Sequence, residues 1–182
     1  CGFGRSGEMF AAQTFGVRPD IMAIAKGIAN GFPLSATVSN RKLMKSWSAG
    51  SHGTTFGGNP IACAAAIAVQ QVFKEENILE NTRKMGNIFI QGLRQIQKGK
   101  DFIGDVRGKG LMIAMEIVKP DRWKTPDAEK AMAILNHALE NNLLAYMAGR
   151  TGNVIRFIPP LIVNEHEINQ ALEILEVSIA KT

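Results

Sequence analysis

The sequence predicts an α/β protein in two parts, and three observations predict it. Ile21 to Ala25 is an unbroken apolar run, too short for a helix and suited to a buried strand. Near residue 75 the composition shifts from glycine-rich to charged, which divides the chain into residues 1–74 and 75–182. Beyond that point short apolar runs alternate with amphipathic stretches, as in a compact α/β domain.

The elements of the first part follow in order. Gly2-Phe-Gly4-Arg-Ser-Gly7 spells G-x-G-x-x-G, but a dinucleotide fingerprint needs a strand before it and a helix opening out of it. Only Cys1 precedes it, and no acidic residue follows at the end of a second strand, so a glycine-rich turn is the better reading. Met9 to Phe15 reads as a short helical or irregular piece, and Val17 to Asp20 leads into the strand. That strand ends on one charged residue, Lys26, after which Gly27, Gly31 and Pro33 break the regularity. A desolvated strand-end amine is a nucleophile toward a carbonyl and forms a Schiff base. The alternative is a lysine that leaves the core and ends in water. Leu34 to Ser39 predicts a second short strand, and Arg41 to Trp47 a short helix.

The loop Ser51-His-Gly-Thr54-Thr55-Phe-Gly-Gly-Asn59-Pro60 follows. Its glycines leave backbone N–H groups free, and its hydroxyls can donate to an anion. Asn59 is a good N-cap and Pro60 a good first residue for an alanine-rich helix over Ile61 to Phe73. The loop reads equally as a phosphate cradle or as an ordinary tight turn.

In the second part, Glu75 to Lys98 carries apolar residues at helical spacing and predicts one long amphipathic helix. Val106 to Gly110 precedes a strand over Leu111 to Val118. A helix is expected from Thr125-Pro126 to Asn141, with short strands over Leu143 to Met147 and Val154 to Ile158. Asn164-x-x-Glu167 has the form of a capping box that opens a final helix. Arg156 is one cation in an apolar strand, and period two puts it on a face with Val154 and Ile158. It needs an anionic partner, either a ligand carboxylate or a protein acid such as Glu116.

Composition narrows the function. Hydrophobic residues at 46% and charged residues at 20% describe a globular protein, and no run approaches the length of a membrane span. The net charge of +5 is scattered, and with one Tyr and two Trp there is no basic-aromatic stripe for nucleic acid. Cys1 and Cys63 form no CxxC pair, which suits a reducing compartment, and three lone histidines give no metal-ligand spacing. The chain begins Cys-Gly-Phe-Gly without an initiator Met, as an excised or incomplete piece would, so a missing signal peptide carries no information.

Four stretches now stand in one order: Gly2-Phe-Gly4-Arg-Ser-Gly7, Pro19-Asp20-Ile with Ala-Lys26-Gly27, His52-Gly-Thr54-Thr55-Phe-Gly-Gly-Asn-Pro60, and Asn153-Val-Ile-Arg156-Phe with Pro160-Leu. On these the sequence resembles the class III, or ω-, aminotransferases, with a likeness over essentially the whole chain and a lean toward the 4-aminobutyrate enzymes. The resemblance implies fold type I and pyridoxal 5′-phosphate as cofactor, with residues 1–74 the end of the large cofactor domain and 75–182 the small domain. It implies that Lys26 forms the Schiff base with the cofactor. Thr55, with Thr54 as second candidate, would hold the cofactor phosphate of a partner subunit, and Arg156 the α-carboxylate of glutamate or 2-oxoglutarate.

The implied reaction moves an amino group from an ω-amino acid to 2-oxoglutarate, giving an aldehyde and glutamate, in a cytoplasmic homodimer or higher homo-oligomer. No nucleic acid or membrane partner is implied. In the family an Asp-Glu-Val-Gln-like segment, whose aspartate pairs with the pyridine nitrogen, stands directly before the Gly-Phe-Gly-Arg motif. This chain starts after that segment, so it is expected to be a C-terminal portion, inactive by itself. Other class III donors (acetylornithine, ornithine, β-alanine, a diamine) stay open. So does a rival of another class, a non-catalytic interaction or nucleotide-binding module.

Overall fold

A computed structural model describes all of residues 1–182. The chain forms two compact units, one of residues 1–4 and 8–79 and the other of residues 5–7 and 80–182.

The first unit holds α1 (Ala11–Thr14), β1 (Ile21–Ile24), β2 (Ala36–Ser39), α2 (Arg41–Met44) and α3 (Pro60–Glu75). β1 and β2 pair antiparallel as a two-stranded ribbon, from Ile21 opposite Ser39 to Ile24 opposite Ala36. This corrects the expectation of a buried strand: Ile21 is 61% exposed. An all-apolar strand is buried when strands flank it on both sides and helices cover both faces, and β1 has one neighbour. The helix predicted over Arg41 to Trp47 is a single turn, capped by the Asn40 side chain, which accepts from Leu43 N. α3 begins as expected, with Pro60 in the first turn and Asn59 Oδ1 accepting from Ala62 N at 2.9 Å.

The second unit holds α4 (Ile78–Gln97) from Glu80 onward, β3 (Ile103–Lys109), β4 (Met112–Ile117), α5 (Ala128–Glu140), β5 (Tyr146–Ala148), β6 (Val154–Phe157) and α6 (Glu165–Ala180). The helix expected from Glu75 is interrupted at Glu76 and Asn77. Asn77 has φ +50, the left-handed conformation that ends helices and that asparagine tolerates. The four strands form one antiparallel sheet in the order β3-β4-β6-β5.

β3 was not expected as a full strand, because Gly104 and Gly108 weaken its pattern. It forms because a two-residue connection, Gly110-Leu111, turns it back onto β4 with Lys109 opposite Met112. Gly110 sits there at φ +55, a conformation the short hairpin turns favour in glycine. α5 starts at Ala128 rather than at Thr125-Pro126, because Pro126 is held in a β-bridge with Val118 and Asp127 supplies the cap. The capping box at α6 is present in both directions: Asn164 accepts from Glu167 N and Glu167 accepts from Asn164 N.

One face of this sheet is the core. Val106, Ile113, Met115, Ile117, Ile155 and Phe157 meet Met85, Phe89 and Leu93 of α4, Ile134 of α5 and Leu175 of α6. The alternate residues of β4, Met112, Ala114 and Glu116, point to the other face and are only partly buried. Arg156 lies on that second face, directly opposite Ala114 on one side and Tyr146 on the other.

Candidate functional site

In the first unit, β1 delivers the chain through Ala25 into a 3₁₀ turn over Lys26–Ile28. Lys26 sits there at φ +53. A left-handed lysine is uncommon and persists where its surroundings hold it, a feature that clusters at functional sites. Part of what holds it is Phe3, a buried side chain packed under Gly27. A Cβ on Gly27 would stand 2.8 Å from the Phe3 Cβ, so only glycine lets the turn lie on that ring. Phe3 is held in turn by an edge-on contact with Phe10, with ring centroids 5.5 Å apart.

Lys26 is exposed rather than buried, which follows from the open ribbon that carries it. It forms part of the wall of an open cleft of about 520 Å³, with Ala25 beside it and Pro33 and Ser35 from the segment that leads to β2. Thr54, Phe56 and Gly57 come to the same cleft from the glycine-rich loop. The structure thus brings together two of the residues singled out from the sequence, Lys26 and Thr54. Thr55 is not on that wall: it heads the turn over residues 55–58 and is exposed. Asn59 fixes that turn by donating from Nδ2 to the Phe56 carbonyl at 3.0 Å while capping α3. The segment Gly31 to Ser35 was missed as cleft lining. Its nearness to Lys26 in the chain, with Gly31 and Pro33 breaking the regularity, was the available signal.

In the second unit, Arg156 has found no protein acid. Its Nε is buried without a hydrogen-bond partner, and its Cζ lies 6.0 Å from the centre of the Tyr146 ring. Glu116, the acid that the sequence offered it, is taken by Arg107 at 2.6 Å. A partly buried guanidinium is chemically suited to a carboxylate, because its planar fork matches one and a buried N–H left unpaired is costly.

Residues 5–7 belong to this unit too. The Arg5 guanidinium donates to the Leu111 carbonyl at 3.2 Å and to the Pro159 carbonyl, while Arg83 donates to the Gly7 carbonyl at 2.7 Å. Burial holds the Arg5 guanidinium below its ordinary value. The glycine-rich turn is therefore a structural latch and not a nucleotide fingerprint.

Comparison with known proteins agrees with this arrangement. The family model for aminotransferase class III matches residues 1–179. The acetylornithine aminotransferase of Methanothermobacter thermautotrophicus is 42% identical over 174 residues, which is 96% of this chain and 42% of that protein. The 4-aminobutyrate aminotransferase of Escherichia coli is 39% identical over 174 residues, 96% of this chain and 41% of that protein. The crystal structure of a Bacillus anthracis aminotransferase superposes with a TM-score of 0.93 at 32% identity, over 100% of this chain and 43% of that one. The chain thus spans about 42% of the length of the curated relatives it matches. Its structural neighbours are pyridoxal-phosphate enzymes of fold type I, and the chain belongs to the class III aminotransferase family.

Proposed function

We propose that the full-length polypeptide is a pyridoxal-phosphate-dependent transaminase. It moves the amino group of an ω-amino acid, with 4-aminobutyrate as donor, to 2-oxoglutarate, giving an aldehyde and glutamate. The observation that carries this reading is Lys26, held at φ +53 on the wall of a cleft that also takes Thr54. The cleft, at about 520 Å³, is of the size that takes a small cofactor, and an amine and a hydroxyl are the donors such a group requires. When bound, pyridoxal phosphate supplies the electron sink for the reaction.

The residues of this chain supply the rest. Lys26 Nζ would hold the cofactor covalently, and its amine is the group that would carry a proton to and from the donor's amine-bearing carbon. Thr54 and Thr55 are assigned the phosphate, with Thr55 serving the cofactor of a neighbouring subunit in a homodimer or higher homo-oligomer. Its place in a turn outside the Lys26 cleft supports that division. Arg156 is assigned the α-carboxylate of 2-oxoglutarate, because its buried Nε has no other acceptor. Residues 1–74 belong in this reading to the cofactor domain and residues 75–182 to the small domain. Free Cys1 and Cys63 suit a reducing, cytoplasmic setting.

Acetylornithine is the competing donor, favoured by relatives of that name at 42% and 43% identity. Asn153-Val-Ile-Arg156 is the sequence feature that supports 4-aminobutyrate. The test of the chemistry is reductive trapping. Borohydride treatment of the full-length holoenzyme should leave the pyridoxyl group on Lys26, read by peptide mass mapping. A label on Lys42 or Lys45 overturns the assignment. Initial rates with 4-aminobutyrate, 5-aminovalerate and acetylornithine then rank the donors.

A further inference from the structure

The turn that presents Lys26 is packed on its far side, against the loop that Gly2 and Phe10 close, and not through the strand that leads into it. Gly2 and Phe10 form an antiparallel bridge, and Gly4 N donates to the Met9 carbonyl at 3.4 Å. Phe3 lies buried in that loop with its ring edge-on to Phe10. The three atoms nearest to a Cβ built on Gly27 all belong to Phe3: its Cβ at 2.8 Å, its Cγ at 3.3 Å and its Cδ2 at 3.4 Å. The first of these sits on the Phe3 backbone and moves only with it. Burial lies on the same side of the lysine. Of residues 11–61, Ala29 alone is buried, three positions after Lys26, whereas Ala25 before it is exposed.

Both partners in this packing are conformationally unusual. Phe3 has φ +50 and Lys26 has φ +53. Crowding at Cβ disfavours that region, and for a bulky aromatic it is a genuine outlier. Strain of this kind persists only where the surroundings over-determine it, and it gathers at functional sites. Its consequence here is the direction of the Lys26 side chain, which leaves a left-handed backbone on a different course from an extended or right-handed one. The hydrogen bond across the turn, from Ile28 N to the Ala25 carbonyl, is long at 3.3 Å and holds that course weakly. A lysine amine stands four carbons out, so a change in the backbone beneath it carries the amine away. A misplacement of about 1 Å in a reacting group can cost on the order of 10²-fold.

We propose that Phe3 is a positioning residue for Lys26: packed under Gly27, it holds the left-handed turn that directs the lysine amine to the cleft. The proposal rests on the reading of Lys26 as the residue that holds the cofactor. Phe3 acts through the Gly27 backbone and not by touching the reacting atoms.

The test is equilibrium binding of two ligands to the full-length apoenzyme, with melting curves alongside. One is pyridoxal 5′-phosphate, whose aldehyde condenses with the Lys26 amine and loses one water. The other is 4′-deoxypyridoxine 5′-phosphate, which has the same ring and phosphate and a methyl group in place of the aldehyde. The ratio of the two affinities reports the reach of the amine and cancels what ring and phosphate contribute. Phe3→Ala should lower that ratio about fivefold to thirtyfold, the equilibrium equivalent of holding one residue left-handed. Affinity for the deoxy ligand should change by less than about twofold, because its contacts do not involve the amine. Phe3→Leu keeps bulk under Gly27 and should hold the ratio within about threefold. Gly27→Ala lifts the turn off the ring and should lower the ratio as Phe3→Ala does. In a Phe3→Gly background the same change should add less than about twofold, because the Cβ it would meet is gone.

A purely structural role for Phe3 lowers both affinities together, with the melting temperature, and leaves their ratio unchanged. That result overturns the proposal. So does an unchanged ratio in Phe3→Ala, or a full further loss when Gly27→Ala is added to Phe3→Gly. Should Phe3→Ala fail to fold, Gly27→Ala alone and in the Phe3→Gly background decides the question. Lys26→Ala separates the two levels of the argument. If it keeps the original preference for the aldehyde ligand, the lysine reading fails and this proposal fails with it. If it loses that preference while Phe3→Ala keeps it, the Phe3 proposal alone is wrong.

Discussion

At the scale of the residue, Lys26 and Arg156 are set apart by what surrounds them rather than by type alone. Lys26 occupies a left-handed conformation over Phe3, and Arg156 has a buried Nε with no acceptor. Lys26→Ala should cost about 10²–10⁴-fold or more in turnover, the scale for losing a positioned acid–base group. Arg156→Lys keeps the charge and loses the planar fork. It should lower kcat/KM for 2-oxoglutarate by about tenfold to several hundredfold, since a charge-assisted contact of about 1.5–3 kcal/mol or more is at stake. The half-reaction with 4-aminobutyrate, which has no α-carboxylate, should fall much less. Within residues 1–182 no acid pairs with Arg156, and if its role in the full-length enzyme is acceptor recognition, the melting temperature should hold. Single-turnover rates for the two halves, with a melting curve, check both statements. Equal losses in both halves with a lowered melting temperature would make Arg156 structural.

At the scale of the element, α4 organises the second unit through one close approach. Gly86 lies so near the carbonyl of Gly110, at the β3–β4 turn, that a Cβ there would collide with backbone. Gly110 is pressed in turn against the Arg5, Ser6 and Gly7 backbone, and its amide neighbour Leu111 donates to the Arg5 carbonyl at 3.0 Å. Helix, hairpin turn and glycine-rich latch are therefore stacked backbone on backbone. Gly86→Ala should destabilise the unit by about 1–3 kcal/mol or more, because backbone cannot step aside as a flexible side chain does. Urea denaturation followed by far-ultraviolet circular dichroism measures it. By contrast, Asn164→Ala should cost about 1 kcal/mol, the usual loss of an N-cap, with the β-sheet intact. If Gly86→Ala matched the original stability, the close approach would carry no weight.

At the scale of the whole molecule, the two units differ in how much apolar surface they bury. The second has a continuous core from α4 to α6, whereas the first leaves Ile61 and Ile67 of α3 more than 60% exposed, with Trp47 and Phe56 also exposed. Exposed apolar surface of that extent marks a face that further polypeptide covers, from the same protein or from a partner subunit. If Thr55 serves a neighbour's cofactor, inactive Lys26→Ala and inactive Thr55→Ala subunits should complement each other. In a mixed dimer one site carries both lesions and the other neither. Random re-assortment of equal amounts should then recover on the order of a quarter of normal activity. Activity that stays at the parental level, after subunit exchange is demonstrated by mass, rules out the shared site.

The sequence by itself determined what is local. The caps at Asn59 and at Asn164 with Glu167, and the ordered motifs that identify the family, were all legible. Each such cap depends on residues within about three positions of each other, and short-range hydrogen bonding suffices to specify it. Tertiary structure decided what depends on partners far along the chain. The apolar run of β1 lies open because its one neighbour is β2, and β3 forms through its glycines because β4 folds back on it. Glu116 looked like a partner for Arg156 and belongs to Arg107 instead. No spacing along the chain could show this, because cross-strand register alone puts Glu116 between two arginines, and side-chain competition across the sheet decides which one it takes.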